Sequence, residues 1–354
     1  MVSQDQRKDE PLLGSPHNRY NGERQMNDIV RTARRRLFQV AGAGLVSPLL
    51  LPAAASFSPA FVDQPTALAS SFEVKQFKFG GFKVTIVSDG STVQAKWETY
   101  GTDQPEDAVK NLLHANFLPT DTFAVSYAPA IVDTGREIIL VDTGGGESFR
   151  SGGAGKLLQS LTTAGYVADQ VTVVILTHLH RDHIGGLMEA GAPTFKNARY
   201  AVNATEYDFW VSDKRKGTPA EANHLMVLSH VKPLAAKMTL LKDGQDIVSG
   251  ITAIAAPGHS PGHTILTIES DGKRAIAMAD TAVHYAVNLE RPDWEMRFDM
   301  DKAAAAISRK RVLDMIATDR VPLLGYHMPH PSVGFLERRE SGYNYIPVSY
   351  QFDI

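Results

Sequence analysis

The stretch Thr177-His178-Leu179-His180-Arg181-Asp182-His183-Ile184-Gly185-Gly186 carries four metal-competent side chains within six residues. An apolar run, residues 171–176, leads directly into it and predicts a strand buried on both faces. Histidines two apart at a strand end can project to the same side, and the paired glycines supply backbone freedom for a turn that aims the next two donors inward. Clustered imidazoles repel one another when protonated, so a bound cation explains the cluster better than four solvated loop residues do. The stretch predicts a site for one or two metal ions.

Further donors occur at or just beyond three other predicted strand ends. His259 lies in the Gly/Pro-rich turn 256–263, Asp280 follows the apolar run 275–279, and His327 follows the last apolar run of the chain. Functional groups collect at strand ends in layered folds. We therefore expect five histidines and two aspartates to meet at one edge of the molecule, namely His178, His180, Asp182, His183, His259, Asp280 and His327.

The composition limits which chemistry the chain can perform. Of its 354 residues 43% are hydrophobic and 21% charged, and it contains 12 His and no Cys. Such a composition fits a folded protein with a large core and argues against a disordered or collagen-like chain. The absence of Cys excludes disulfides, iron–sulfur clusters and thiol nucleophiles. Any metal must therefore be held by His and carboxylate side chains, a donor set that suits zinc.

The hydrophobic patterns predict a layered fold with many strands. We expect strands at residues 77–79, 82–87, 124–132, 138–141, 171–176, 200–202, 238–241, 251–255, 265–268, 275–278 and 321–324. Helices are predicted at residues 154–163, 205–211, 221–236 and 301–317. Strands that follow strands, with helices between some of them, indicate an α+β fold of two mixed β-sheets packed together with helices outside. No linker is visible after residue 73, so residues 73–354 are predicted to form one domain.

The N-terminal segment has the layout of an export signal. The motif Arg34-Arg35-Arg36-Leu37-Phe38 precedes an apolar run, residues 40–55, and Ala53-Ala54-Ala55-Ser56 at the end of that run resembles a small-residue cleavage site. An arginine pair followed by one residue and Phe resembles the bacterial twin-arginine signal. We expect removal of residues 1–55 on export to the periplasm, and a linker at residues 56–72. Gly and Pro interrupt the apolar run, so no stable membrane anchor is expected after processing, with a retained basic anchor as the alternative.

The charge balance of the processed chain bears on its partners. Residues 1–55 carry 8 Lys or Arg and 5 Asp or Glu, so their removal leaves 28 basic and 34 acidic residues and a net charge of −6. Proteins that bind nucleic acids normally present clustered Lys and Arg. We therefore expect no nucleic-acid partner, and we interpret the cluster Lys214-Arg215-Lys216 as solvated loop charge.

Together these motifs resemble the metallo-β-lactamase superfamily over essentially all of residues 73–354. The resemblance implies an αββα sandwich, in which two mixed β-sheets are flanked by helices and a one- or two-metal site lies at the sheet edge. The ligands that it implies for the first metal are His178, His180 and His259. Those that it implies for the second metal are Asp182, His183 and His327, with Asp280 bridging the two. His263 and Asp142 are implied to organise the site without binding metal.

A closer resemblance is to the exported methyl parathion hydrolase group, a dinuclear zinc branch that acts on organophosphate triesters. The stretches that carry it are residues 82–90, 139–144, 157–166, 177–188, 208–210, 259–264 and 343–350. This resemblance implies that Phe149 and Trp210 line a leaving-group pocket. Trp294 and Phe298 could be contacts of a homodimer. The sequence departs from the group at Arg181, where Pro is common.

The resemblance implies a hydrolase that uses two divalent metal ions, with Zn²⁺ the expected metal, and a small ester-like substrate. In this hypothesis Asp182 and Asp280 act through a metal-bound hydroxide that attacks an organophosphate triester, an aryl ester or a lactone. A quorum-quenching-type lactonase is the nearest alternative. The Tyr that such lactonases place three residues after the bridging Asp is Val283 here, and Tyr285 lies two residues further on. An exported metal-binding protein without catalytic activity is the other alternative.

Overall fold

Two seven-stranded β-sheets organise the described part of the chain, which is residues 74–94 and 99–353 of this computed structural model. In chain order the strands are β1 (Val74–Phe79), β2 (Phe82–Val87), β3 (Gly90–Gln94), β4 (Phe123–Tyr127), β5 (Ala130–Asp133), β6 (Ile138–Val141), β7 (Val173–Leu176), β8 (Met188–Glu189), β9 (Ala192–Pro193), β10 (Arg199–Asn203), β11 (Met238–Leu241), β12 (Asp246–Val248), β13 (Ile251–Ala255), β14 (Thr264–Ser270), β15 (Lys273–Ala277), β16 (Leu323–Leu324), β17 (Val333–Arg338) and β18 (Tyr343–Pro347). The α-helices are α1 (Glu106–Ala115), α2 (Leu157–Thr163), α3 (Arg181–Ile184), α4 (Ala204–Val211), α5 (Glu221–His230), α6 (Val287–Glu290) and α7 (Lys302–Asp319).

Both large sheets are mixed. The first has the strand order β1-β2-β5-β6-β7-β10-β11, antiparallel from β1 to β6 and parallel from β6 to β11. The second has the order β12-β13-β14-β15-β16-β17-β18, and only its β15–β16 pair is parallel. Two small sheets, β3-β4 and β8-β9, complete the strand pairing of the described residues. The predicted two mixed sheets are confirmed.

The main core lies between the two large sheets. Alternate residues of β7 explain this layering, because Val173 and Ile175 join a buried cluster that also contains Leu266 of the second sheet. The residues between them in β7, Val174 and Leu176, face the opposite side of the first sheet. Side chains of α2, α4 and α5 cover that side, and α7 covers the outer side of the second sheet. The order of layers is therefore helix, sheet, sheet, helix, as the α+β sandwich prediction required.

Several predicted elements differ in extent from the observed ones. The single strand predicted at residues 124–132 is two strands, because Ala128-Pro129 interrupts the strand. The first of the two, β4, pairs with β3 outside the large sheets. The helix predicted at residues 221–236 ends at His230, and a short 3₁₀-helix with Pro233 near its start follows. Helices α1 and α6 and strands β3, β12, β17 and β18 are among the elements that were not predicted.

The predicted export signal at residues 1–55 and the linker at residues 56–72 lie outside the described residues. All described residues fall within one compact unit. Among their helices, none combines the length and the apolar character that crossing a membrane requires.

Four strand ends determine where the predicted donors lie. Strand β7 of the first sheet ends just before the segment that carries His178. In the second sheet β13, β15 and β16 end just before His259, Asp280 and His327 respectively. Donors from both sheets therefore approach one another across the edge of the sandwich.

Candidate metal centre

The structure brings all seven predicted donors together in two adjacent groups. The first group is His178, His180 and His259; the second is Asp182, His183, Asp280 and His327. Within each group one potential ligand atom from every residue lies within 4.8 Å of the others. Five of the seven residues are buried, whereas His180 and Asp182 are partly exposed. Such an arrangement can hold two cations side by side.

The loop after β7 contains one helical turn, and its backbone packs closely against the loop after β6. Residues Arg181–Ile184 form one helical turn, α3, which buries His183 beneath the site. Gly185 has a φ of −62°, so it is not needed for a left-handed conformation. A Cβ atom on Gly185 would instead collide with the carbonyl oxygen of Gly145, and one on Gly186 would collide with that of Thr143. Glycine is therefore needed at these two positions because the two backbone segments lie close together. The backbone freedom that the sequence analysis predicted is not the reason.

The first group is built from three imidazoles in mutual contact. The ring of His180 lies 4.6 Å from the rings of both His178 and His259. His180 Nδ1 and His259 Nε2 are 2.9 Å apart. Three nitrogen donors at such spacing match the imidazole sites that bind zinc.

Asp280 lies between the two groups and contacts both. Its Oδ2 is 3.2 Å from Nε2 of His259 and 3.2 Å from Nε2 of His327, and its Oδ1 is 3.1 Å from Nε2 of His183. The preceding residue, Ala279, has a φ of 44°, in the left-handed region that favours glycine. This strained turn directs the Asp280 carboxylate inward, where it could be shared by two cations.

Buried atoms without partners test whether a cation fits here. Within the described residues His178 Nε2, His183 Nε2 and Asp280 Oδ1 are buried and make no well-aligned hydrogen bond, although the last two atoms lie only 3.1 Å apart. A buried polar atom without a partner costs about 1–3 kcal/mol. All three atoms belong to the two donor groups, so one or two coordinated cations would satisfy them together. The donor set, five imidazoles and two carboxylates without thiolates, fits a pair of zinc ions.

Burial and mutual charge set the protonation of these groups. Burial lowers the pKa of His178 and His180 well below the ordinary histidine value, and the neighbouring imidazoles lower it further. Burial would raise the pKa of Asp280, but the charges of the surrounding histidines, His327 foremost, hold it well below its ordinary value. Burial also opposes protonation of His259, yet its carboxylate neighbours raise its pKa to about 9. Metal binding is therefore coupled to proton release from the site.

Hydrogen bonds from the surrounding protein fix the orientation of the histidines. The Nδ1–H of His183 donates to Asp142 Oδ2 at 2.9 Å, and that of His259 donates to Asp299 Oδ1 at 3.0 Å. The Nδ1–H of His327 donates to the carbonyl of Ser126 at 2.8 Å. Each bond leaves Nε2 as the ring nitrogen that faces the site and could bind a metal ion.

His263 contacts Asp280 through the backbone and does not face the site as a donor. Its Nδ1–H donates to the carbonyl of Ala256 at 3.0 Å, and its Nε2 accepts from the Asp280 N–H at 3.1 Å. Both ring nitrogens are thus occupied. The geometry agrees with the organising role that the resemblance implies for His263 and Asp142.

Three buried carboxylates around the site were not predicted. Asp89 accepts hydrogen bonds from the N–H groups of Gly145 and Gly155 in the loop after β6 and of Leu157 at the start of α2, and burial raises its pKa to about 6. Glu206 and Asp299 hold the loops of the first donor group. No sequence motif contains them, because their role depends on hydrogen bonds to residues that are distant in the sequence. The one available signal is an acidic residue, Glu206, within a predicted helix.

A cavity of about 320 Å³ opens above the two donor groups. Its walls are largely aromatic and apolar, and the lining residues outside the donor groups are Tyr100, Val125, Tyr127, Phe149, Arg181, Asn223, Val283 and Phe298. Phe149 lies in the wall, where the resemblance places it. Trp210 does not line the cavity: it is 2% exposed, its Nε1–H donates to Glu206, and its ring packs behind His180. The prediction that Trp210 lines the pocket is therefore wrong, and Trp210 lies in the core.

The two residues suggested as dimer contacts lie in different surroundings. Phe298 is 48% exposed at the cavity, whereas Trp294 packs against a buried cluster that includes Tyr100 and Val109. Their role in a homodimer stays a prediction.

The fold and the donor arrangement define a metal-dependent member of a known superfamily. The profile of the metallo-beta-lactamase superfamily matches residues 127–329, so the chain belongs to this superfamily.

Two kinds of relative are similar to the chain. An N-acyl homoserine lactonase from Bacillus thuringiensis is 28% identical over 154 residues, 44% of this chain and 55% of the lactonase. The aligned part of the chain thus spans about half the length of that relative. A solved dizinc quorum-quenching lactonase, AidC, in complex with a product is 29% identical, with a TM-score of 0.73 over 79% of this chain and 98% of AidC. The solved hydrolase AbOPH is 26% identical, with a TM-score of 0.73 over 78% of this chain and 98% of AbOPH.

Proposed function

We propose that the chain is a zinc-dependent hydrolase of ester-type electrophiles and that lactones are its preferred substrate class. The observation that carries the proposal is the pair of donor groups that share Asp280 at the floor of a cavity. A site of this kind needs no nucleophilic side chain. The alternative of a metal-binding protein without activity leaves the cavity above the donors unexplained.

The proposed ligands of the first zinc are His178, His180 and His259. The proposed ligands of the second are Asp182, His183 and His327, with Asp280 bridging both. Zinc in such a donor set acidifies coordinated water to a pKa of about 7 and acts as a Lewis acid toward a carbonyl or phosphoryl group.

The chain's own residues would position the substrate and limit access of water. Tyr127 and Phe149 present a T-shaped aromatic wall with ring centroids 5.7 Å apart, against which an apolar substrate body can pack. The hydroxyl of Tyr127 is already hydrogen-bonded to Thr92 Oγ1 at 2.7 Å, so its apolar ring is what the wall offers. His180 and Asp182 are the two ligand residues that remain partly exposed, and the side chain of Asp182 is 22% exposed.

A second cavity favours lactones that carry an acyl chain. This cavity, of about 530 Å³, shares Val283 and His327 with the first and has apolar side chains such as Leu113 and Phe123 in its wall. An acyl chain extending from the metal centre could be buried there. Tyr285 lines this second cavity and not the first. The names of the similar lactonases support the same substrate class.

A phosphotriester is the second candidate substrate. The sequence stretches that resemble the methyl parathion hydrolase group and the position of Phe149 in the cavity wall favour it. A planar aryl leaving group would suit the wall formed by Phe149 and Tyr127.

Turnover by the zinc-loaded protein tests the proposal. We expect two zinc ions per chain and hydrolysis of N-hexanoyl homoserine lactone faster than that of paraoxon, 4-nitrophenyl acetate or a β-lactam. Asp280→Asn should lower kcat/KM by about 1000-fold, since it removes a charged ligand from both proposed metal positions. The exposed Asp271→Asn is the matched control and should change kcat/KM less than twofold. Two bound zinc ions without turnover of any substrate would favour the metal-binding alternative.

We also propose that the chain is exported to the periplasm. The support is the arginine pair and the apolar run within residues 1–55. Replacing Arg35 and Arg36 by Lys should retain the protein in the cytoplasm of a twin-arginine-competent bacterium. Fractionation that finds the variant in the periplasm at the wild-type level would contradict this proposal.

A further inference from the structure

Arg181 is the only Lys or Arg among the described residues that line the active-site cavity. It lies between His180 and Asp182 in the sequence, and its side chain is exposed at the cavity wall. The other ionisable groups in the lining are aspartates, histidines and tyrosines. A fixed positive charge thus stands beside the donor groups.

The guanidinium of Arg181 rests on the aromatic wall and has no acidic partner. Its Cζ atom lies 5.8 Å from the centroid of the Phe149 ring. Within the described residues no carboxylate lies within ion-pair distance of it. The nearby Arg150, by contrast, pairs with Glu189 at 2.7 Å and with Glu147 at 3.8 Å. Arg181 therefore keeps its hydrogen-bond donors available to a molecule in the cavity.

The aspartates of the cavity do not neutralise this charge. Asp280 contacts the imidazoles of His259 and His327, and Asp182 lies 3.5 Å from His327. With two zinc ions bound, these carboxylates would be shared with dications, and the cavity would carry an excess of positive charge. Such a cavity favours an anionic ligand, and a guanidinium beside an aromatic wall favours a planar carboxylate.

We propose that Arg181 is a specificity-determining residue that makes the site prefer ester substrates bearing a carboxylate on their apolar body. The ring or chain of the substrate packs against Phe149 and Tyr127, and the carboxylate pairs with the guanidinium. The reacting ester carbonyl then faces the donor groups. This inference rests on the proposed hydrolase function and narrows its substrate class.

A pair of isosteric esters tests the proposal. We compare kcat/KM for 4-acetoxybenzoate with that for neutral 4-acetoxybenzamide, using the zinc-loaded full-length chain. Dividing kcat/KM for the carboxylate by kcat/KM for the amide cancels any change in the enzyme that affects both esters equally. Comparing this quotient between wild type and a variant then cancels the difference in intrinsic reactivity between the two esters. Arg181→Gln should lower the quotient about tenfold, the value of one charge-assisted hydrogen bond. Arg181→Lys should lower it less, because the charge remains without the planar fork.

Two controls separate a local contact from a general charge effect. Arg150→Gln removes the same unit of charge outside the cavity and should change the quotient less than twofold. Sodium chloride should lower the wild-type quotient, since salt screens the interaction of exposed charges. A quotient in Arg181→Gln within twofold of wild type, or an equal loss in Arg150→Gln, would overturn the proposal.

Equilibrium binding distinguishes failure of this inference from failure of the hydrolase proposal. If the zinc-loaded chain turns over neither these esters nor the lactone, the hydrolase proposal fails, and calorimetric titration with 4-hydroxybenzoate and 4-hydroxybenzamide still decides the role of Arg181. Tighter binding of the carboxylate, weakened at least fivefold in Arg181→Gln, supports it. Equal binding of the carboxylate by wild type and variant overturns it, since the metal ions alone would then explain the anion affinity.

Discussion

One buried carboxylate, Glu206, connects the two loops that carry the first donor group. Its Oε1 accepts from the N–H of Leu179 at 3.0 Å and from the indole N–H of Trp210 at 2.8 Å. Its Oε2 accepts from the hydroxyl of Ser260 and the N–H of Gly262, both at 2.8 Å. Burial raises the pKa of Glu206, yet every partner is a donor, which requires the ionised form.

Replacement of Glu206 by Gln should loosen the first donor group. The Gln amide would place its NH₂ group against two donors, leaving buried groups unsatisfied at a cost of about 2–4 kcal/mol. We expect a corresponding fall in the free energy of unfolding in urea and weaker binding of one of two zinc equivalents. The matched control is Glu340→Gln, the same change at an exposed position. A variant as stable as wild type, with unchanged zinc affinity, would show that Glu206 does not hold the loops.

His284 should contribute to the loss of stability in acid. Its Nδ1 accepts from the N–H groups of Ala286 and Val287 at 3.2 and 3.1 Å, so the ring must be neutral. Burial lowers its pKa to about 4, against about 6.5 in an unfolded chain. Between these values the unfolded state binds more protons, so the stabilisation is present above pH 6.5 and lost as pH falls through 4.

The expected loss from His284 is about 3 kcal/mol over that interval, since each pKa unit corresponds to 1.36 kcal/mol. We would measure the free energy of unfolding in urea from pH 4 to 8 for the metal-free wild type and for His284→Gln. The difference between the two proteins should be smallest at pH 4. The exposed His114→Gln should follow the wild-type profile. Parallel profiles for wild type and His284→Gln would contradict the assignment.

The donors of the site could be predicted from the sequence, whereas the residues that orient them could not. His178 and its neighbours form a compact motif after an apolar strand, which is a local signal. Glu206 and Ser260 are 54 positions apart, and His259 and Asp299 are 40 apart, so their hydrogen bonds follow from tertiary packing alone. Trp210 was misplaced because an aromatic residue in a sequence motif does not reveal which face of its helix is buried.

Among the secondary-structure elements, those with a clear and regular pattern of apolar residues could be predicted from the sequence. Strand β7 is buried at every position, and its apolar run before the histidine motif identified it. Helix α1 was missed although Val109, Leu112 and Leu113 have helical spacing, since the surrounding residues are polar. Strand β18 buries only Tyr343 and Tyr345 of its five residues, so its alternation is short.

Helix α7 is anchored to the site by a buried ion pair. Arg309 donates to Asp299 Oδ2 at 2.6 Å and to the carbonyl of Thr281 at 2.9 Å, and it also reaches the carbonyls of Pro292 and Trp294. Asp299 in turn accepts from a proposed zinc ligand. The helix therefore supports both the first donor group and the turn after the bridging aspartate.

Replacing Arg309 by Met should cost about 3–5 kcal/mol of unfolding free energy, because Asp299 would be left as a buried charge without its cation. The double variant with Asp299→Asn should lose less than the sum of the two single losses, since neither charge then remains alone. Lys310→Met removes an exposed cation from the same helix and should change stability by less than about 0.5 kcal/mol. Strict additivity in the urea unfolding cycle would rule out the coupling.

For the whole molecule, the proposed zinc pair connects the two sheets. Donors after β7 come from the first sheet, while His259, Asp280 and His327 follow strands of the second. Without cations the same edge holds buried groups that lack partners, such as His178 Nε2. The sheets also share a continuous apolar core, so the fold does not depend on metal alone. Metal should therefore add stability to a structure that already forms.

Removal of zinc should lower the thermal midpoint without abolishing folding. Free zinc at about 1000 times its Kd stabilises a site by about 4 kcal/mol, and each kcal/mol shifts Tm by about 2–4 °C in a domain of this size. Two sites thus predict a fall of about 15–30 °C on chelation, measured by calorimetry. His180→Ala and His327→Ala should each retain one zinc and lose about half of that shift, because each alters a different donor group. If either variant lost both ions, or if chelation left Tm unchanged, two adjacent sites joining the sheets would be the wrong description.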